Sequence, residues 1–458
     1  MSAKRGIRLL QPAIAGAGRL SSPPNAASNA LHSLRPLSTP SRRPRISVRT
    51  PAASNSQRFS SSKADEPAKT PLYDLHAAHG AKFVPFGGYA MPVQYSDLSV
   101  GESHHWTREK ASLLDVSHMV QHHFSGPGAD AFLSLITPSS LTTLKPHHST
   151  LSTLLHRETG GIVDDTVITR LDATHFYVVT NAGCRAKDLE YFQTELAAWK
   201  EAGNPDVKWN VLEGQGLVAL QGPAAAEVLA SVIADPEKVK LDELYFGQSK
   251  YASIRIANWN TSPEVLISRG GYTGEDGFEI SVPASSTVAV TEKLLSAAPE
   301  TVRLAGLGAR DSLRLEAGMC LYGHDLDDST TPVEAALAWV VGKDRRVEGG
   351  FHGSSVILSQ LKPKKDGGKG VTRRRIGLVV DGAPAREGAS IVDAEDNVIG
   401  TVTSGCPSPT LKKNIAMAYI KDGSHKSGTE VAVLIRGKRR KAVVTKMPFV
   451  PSKYYRGP

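Results

Sequence analysis

Three cysteines in 458 residues, Cys184, Cys320 and Cys406, are too few and too far apart for a disulfide framework, and none forms a Cys-x-x-Cys pair that could hold zinc. They are expected as buried thiols in a reducing compartment. No apolar run approaches the ~18 residues that a membrane-spanning helix needs, so the body of the chain is expected to be soluble. Also missing are a Gly-x-Gly-x-x-Gly after a strand, a Gly-x-x-x-x-Gly-Lys-Ser/Thr loop and a Gly-x-Ser-x-Gly elbow, which argues against a self-contained NAD or FAD enzyme, a P-loop ATPase and an α/β-hydrolase. Acidic residues are absent from positions 1–63, where eleven Lys and Arg stand. Those eleven account for the net charge of +9, since the remainder holds 43 basic and 45 acidic residues. The basic balance therefore does not point to nucleic acid or a membrane surface. An Arg- and Ser-rich, acid-free leader without a long apolar segment fits a transit peptide over 1–62 and a mitochondrial, matrix location.

What is present is ordinary globular composition, 40% apolar and 22% charged, over a length that suggests two to four domains. From about residue 70 to 361, strand-like runs such as 160–168, 176–180 and 216–220 alternate with helical ones, implying an α+β body. Positions 362–375 carry seven basic residues against Asp366, with three Gly, and read as an exposed basic linker. After it, short β-like runs at 376–380, 398–402, 416–420, 431–435 and 442–444 suggest a small barrel over 376–458.

Four constellations could carry chemistry. His118 and His122, with His104, His105 and His123 nearby, invite a metal reading. However, 115–120 looks like a strand, and a four-residue step on a strand spans ~13 Å, too far for one ion, so no metal is expected. Asp164 and Asp165 follow Gly160 and Gly161 inside an apolar strand, so alternation sends them to opposite faces. One caps a neighbouring loop; the other projects into whatever the glycine turn leaves open, as an acid, base or cation stabiliser. In the Gly-rich run 270–280, Phe278, Ile280 and Val282 share a face and Glu279 points away, either into solvent or toward a ligand that the glycines let approach. In the helical run 304–316, Arg310 and Arg314 stand at i, i+4, where like charges repel unless a carboxylate receives one of them. An ion pair with Asp311 or Glu316 is the simpler reading, and a substrate carboxylate is the other.

Ordered runs then match one known family. They include Thr70-Pro-Leu-Tyr-Asp74, Asp115-Val-Ser-His-Met119, 160–165, Leu220-Gln-Gly-Pro223, Gly271-Tyr-Thr-Gly-Glu-Asp-Gly277, Ala309-Arg-Asp-Ser-Leu-Arg-Leu-Glu-Ala-Gly318, Thr331-Pro-Val-Glu334 and Lys446-Met-Pro-Phe-Val-Pro451. Over 70–455 the chain resembles the aminomethyltransferases, the T proteins of the glycine cleavage system. The resemblance implies a three-domain cloverleaf, with two interleaved α/β folate-binding domains over 63–361 and a C-terminal antiparallel β-barrel. It implies transfer of a methylene carbon from the aminomethyl-dihydrolipoyl arm of the H protein to tetrahydrofolate, releasing ammonia and giving 5,10-methylenetetrahydrofolate, with no metal or flavin. By position it makes Asp165 the catalytic carboxylate and assigns Asn181, Glu279, Arg310 and Tyr454 to the folate site. The basic runs 343–346, 362–375 and 436–441 would suit an acidic carrier such as a lipoylated H protein, or a polyglutamate tail, although a solvated surface explains them equally well.

Relatives that assist iron–sulfur protein maturation resemble a Lys-Gly-Cys-Tyr-x-Gly-Gln-Glu signature, which the run 318–323, Gly-Met-Cys-Leu-Tyr-Gly, lacks. The folate domains of dimethylglycine and sarcosine dehydrogenases follow a flavin domain that this chain does not contain. A carrier-docking module with a dead pocket is disfavoured by the presence of both Asp165 and Arg310.

Overall fold

A computed structural model describes residues 66–256 and 260–458; the expected leader, 1–62, lies outside the described residues. After a short helix, Tyr73–Ala78, comes a hairpin, β1 (Lys82–Phe86) and β2 (Tyr89–Gln94). Five antiparallel strands then form one sheet in the order β5 (His148–Leu155), β6 (Ile162–Arg170), β7 (His175–Thr180), β4 (Val120–Ser125) and β8 (Lys208–Val211). A second sheet runs β10 (Ser249–Ala252), β11 (Val265–Arg269), β12 (Gly277–Val282), β9 (Gly216–Gln221), β3 (Ala111–Asp115) and β13 (Val302–Leu304), with only the β3–β13 edge parallel. The two sheets are interleaved in sequence: the chain lays down β3, leaves to build all five strands of the first sheet, and returns at β9.

Both sheets bury two faces, and the alternation of side chains decides what each face meets. On the second sheet, Val218, Leu220, Phe278, Ile280 and Val282 pack beneath the helices Ala225–Val232 and Thr287–Ala297. On the first, Phe124, Phe176 and Val178 pack against Phe132, Leu133 and Ile136 of the helix Ala129–Ile136 and Phe192 of the helix Arg185–Glu201. The opposite faces share a third core, in which Tyr177 and Val179 meet Leu217, Ala219 and Leu266, closed by Ala305, Ala309 and Leu313 from the helix Leu307–Glu316 and its approach. Glu279, on the reverse of Phe278 and Ile280, therefore faces this seam between sheets rather than open solvent. Burying an aromatic or aliphatic side chain contributes about 1.5–3 kcal/mol, so these three cores fix the strand registers on which the seam depends.

The barrel is closed and antiparallel: β14 (Arg373–Val380), β17 (Lys413–Lys421), β16 (Val398–Ser408), β15 (Ser390–Val392), β18 (Glu430–Ile435) and β19 (Lys438–Thr445), with β19 returning to β14. It starts three residues before the expected boundary. Arg373, Arg374 and Arg375 read as linker from their charge but are strand residues, and Arg375 is buried with its guanidinium on the carbonyls of Ala335 and Gly318. The chain from Cys320 to Val371 packs with Leu155 and Ile162 at the end of the first sheet.

Candidate active site

The pair Asp164–Asp165 lies on β6, and alternation separates the two side chains as expected. Asp164 points to the helical side and is fully buried; Asp165 points to the seam and is partly open. One residue reaches both. Asn181 follows the last residue of β7, and its Nδ2 donates to Asp164 Oδ1 at 2.9 Å, to Asp165 Oδ1 at 2.9 Å and to the Asp165 carbonyl at 3.2 Å. Its backbone N–H donates to Asp164 Oδ2 at 2.8 Å. Asp164 is thus the loop-capping member and Asp165 the free one. Burial, followed by the neighbouring charge of Asp164, pushes the Asp165 carboxyl up to about 7, against the lowering effect of the Asn181 amide.

The glycines before this strand do not open the cleft. A methyl group on Gly161 would stand 1.9 Å from the Asp328 carbonyl, and one on Gly160, at φ +67°, would meet Ile357 and the Gly353 carbonyl. Gly160 and Gly161 admit neighbouring backbone, not ligand. The same holds for part of the run 270–277: a methyl group on Gly271 would overlap the Gln221 amide, which bonds the Gly270 carbonyl and receives the Thr273 hydroxyl. What the run presents to the seam is Tyr272, whose ring carries the Arg310 guanidinium 4.7 Å from its centroid and whose hydroxyl bonds the Cys320 carbonyl. Tyr272 also feels the charge of Asp165, which ties the two ends of the site together.

Arg310 and Arg314 divide as the like-charge argument requires. Arg314 is saturated by Asp311 at 2.8 Å, Asp325 at 2.6 Å, the Met319 carbonyl and Ser404. Glu316, the other anticipated partner, instead pairs with Arg108 at 2.8 Å and His104 at 3.2 Å. Among the described residues the Arg310 side chain makes no hydrogen bond or ion pair. Burial lowers its pKa, and Glu279 is the main influence opposing that; Glu279 in turn is raised by burial and lowered by Arg310. A cation and an anion facing one seam without mutual contact are a ready receptor for a ligand carrying both acceptors and donors.

The run 115–120 is not one strand. β3 ends at Asp115, residues 117–118 turn, and β4 begins at Val120. His118 sits in that turn, buried edge-on to Phe86 at 5.6 Å, and burial holds it down to about 4. His122 is a core histidine, its nitrogens meeting Thr180 at 3.1 Å and Trp209 at 3.2 Å. Tyr454 stacks on Phe246 at 4.2 Å, and its hydroxyl is buried without a partner. Phe246 lies beside Gly270, so Tyr454 flanks the run 270–277, but no described contact joins it to Asp165 or Arg310. Tyr272 lines this seam although the sequence reading did not single it out as a candidate. An aromatic amid four glycines was the available signal for Tyr272.

Comparison with known proteins covers both the sheet region and the barrel. Residues 72–345 match the GCVT N-terminal domain and 373–451 the glycine cleavage T-protein C-terminal barrel domain. The chain is 49% identical over 409 residues to a probable mitochondrial aminomethyltransferase of Schizosaccharomyces pombe, covering 89% of this chain and all of that protein. It is 48% identical over 388 residues to mitochondrial aminomethyltransferase of Pisum sativum, covering 85% and 90% of the two chains. The crystal structure of the glycine cleavage system aminomethyltransferase T from Bartonella henselae superimposes with a TM-score of 0.75 at 38% identity, over 85% of this chain and all of that one. The chain belongs to the glycine cleavage T-protein family, the aminomethyltransferases.

Proposed function

We propose that the seam between the two sheets binds tetrahydrofolate and that Asp165 is the carboxylate of a mitochondrial aminomethyl transfer. The reaction takes the aminomethyl group from the dihydrolipoyl arm of an H protein and gives 5,10-methylenetetrahydrofolate, ammonia and the free thiol. Its bonds balance: carbon leaves sulfur and the departing nitrogen for two folate nitrogens, and the two protons those nitrogens lose are taken up by thiol and ammonia. Carbon in transit carries positive charge. An ionised Asp165, pinned by Asn181, stabilises that charge and orients the accepting amine, an effect worth about 10²–10⁴ in rate.

Glu279 and Arg310 supply the anion and cation that the donor and acceptor edges of a reduced pteridine require, and the Tyr272 ring offers a flat apolar wall beside them. Tyr454 contributes from the flank of the run 270–277. The basic runs 343–346, 362–372 and 436–441 attract the acidic carrier that delivers the arm. As drawn, the step uses side chains alone and calls on neither metal nor flavin chemistry. The observation that carries this reading is the bridged carboxylate, Asp165 held by Asn181, together with an Arg310 side chain that makes no hydrogen bond or ion pair among the described residues. Incubating the chain with tetrahydrofolate and aminomethyl-loaded H protein should yield ammonia and methylenetetrahydrofolate in equal amounts. Ammonia without methylenetetrahydrofolate, or neither product, would refute it.

A further inference from the structure

Behind Asp165, on the helical side of β6, lies a second pair of carboxyls that the reaction does not touch. Asp164 and Asp188 are both fully buried, and their oxygens, with the Cys184 sulfur, lie within 4.8 Å of one another. Among the described residues no donor meets either Asp188 oxygen in hydrogen-bonding geometry. The nearest cation does not neutralise the pair: the Lys187 ammonium is taken by Asp328 at 2.9 Å and the Tyr322 hydroxyl at 2.6 Å. Two adjacent carboxylates stripped of water and of counter-ions cannot both stay ionised, so one proton lies between them. Asp164 nevertheless accepts two hydrogen bonds from Asn181, so it remains anchored to the residue that holds Asp165.

We propose that Asp188 is a positioning residue for the transfer: by sharing one proton with Asp164 it spreads a single negative charge away from Asp165 and keeps Asn181 aimed at the Asp165 carboxylate. A metal ion at Asp164, Cys184 and Asp188 is the weaker reading, because both Asp164 oxygens already serve Asn181. Burial, then the charge and hydrogen bond of Asp188, hold Asp164 well above the ordinary carboxylate range. Burial also pushes Asp188 up to about 7. The groups facing the three carboxyls are Cys184 and Lys187 on the helical side, Thr180 on β7, Tyr322 and Asp325 from the segment beside β6, and Tyr272 across the seam. The burial-raised thiol of Cys184 stays protonated and adds no charge.

This inference rests on Asp165 being the working carboxylate, and its test separates the two ideas. In Asp188→Asn the new amide donates to Asp164, which becomes the sole bearer of the charge, one residue from Asp165. The acid limb of the kcat–pH profile should then rise by about half to one pH unit, with KM for tetrahydrofolate within about twofold of native. A purely structural Asp188 would lower kcat equally at every pH, and a limb at its native position overturns the proposal. Difference infrared spectroscopy supplies a readout independent of turnover, and its Asp165→Asn arm needs no Asp188 variant to fold. A protonated-carboxyl band at pH 7 should persist in Asp165→Asn, where Asp165 can no longer supply it, and disappear when Asp188→Asn is added to that variant. No such band in the native and Asp165→Asn chains also overturns the proposal. If Asp165→Asn keeps full activity while the band behaves as stated, the assignment of Asp165 fails and the shared proton stands.

Discussion

Removing the Asn181 amide gives the sharpest quantitative consequence. Its Nδ2 is the only described side-chain donor to Asp165, at 2.9 Å, and a hydrogen bond to a buried carboxylate contributes about 1.5–3 kcal/mol. At 1.36 kcal/mol per pH unit, Asn181→Ala should therefore raise the Asp165 carboxyl from about 7 by roughly one to two units. The sign follows from which form is favoured: the lost bond stabilised the ionised form, so the variant is protonated, and inactive, over a wider acidic range. At pH 7 the ionised fraction falls from about half to roughly 1–10 per cent, a loss of about 5- to 50-fold in kcat. Most of that loss should be recovered near pH 9.5. Ammonia and methylenetetrahydrofolate formation measured from pH 6 to 9.5 reads this directly. An equal loss at every pH, or an unmoved acid limb, would refute the reasoning.

Arg310→Gln should raise KM for tetrahydrofolate at least tenfold while leaving the melting temperature close to native, because the guanidinium makes no hydrogen bond or ion pair among the described residues; a large drop in thermal stability would contradict this. Arg314→Ala should do the reverse, costing about 3–5 kcal/mol in denaturant unfolding by stranding the buried Asp325 carboxylate. Burial would raise the Glu316 carboxyl, but hydrogen bonds from His104, Ser408 and Thr410 outweigh it and hold the group to about 2. Its contribution to stability is therefore intact above about pH 4.5 and lost as pH falls toward 2, roughly 3 kcal/mol that Glu316→Gln should abolish in acid unfolding curves. Gly161→Ala should disrupt the contact with the Asp328 carbonyl and lower the melting temperature by several degrees without moving the acid limb.

Much of this architecture is legible in the residues. The opposite facing of Asp164 and Asp165, the reverse-face placement of Glu279 and the barrel after 362–372 all follow from period-two alternation and turn spacing, which are local. The errors concern contacts made across the chain. Glycine density at 160–161 and 270–271 reads as room for a ligand, yet what approaches is the Asp328 carbonyl and the Gln221 amide, partners far away in sequence. Charge at 373–375 reads as linker because Arg375 looks solvated until its carbonyl partners are known. Glu316 was a plausible partner for Arg314, but its neighbours His104 and Arg108 come from a helix some 200 positions earlier. Tyr272 and Asp188 stayed hidden for the same reason, since only tertiary placement reveals a ring beneath one guanidinium or a carboxylate with no donor.

Asp165→Asn tests the central claim most directly, because the amide keeps the shape and one acceptor while deleting the charge. The account predicts tetrahydrofolate binding within about threefold of native and a fall of about 10²–10⁴ in the joint formation of ammonia and methylenetetrahydrofolate. Turnover at the native rate would contradict it.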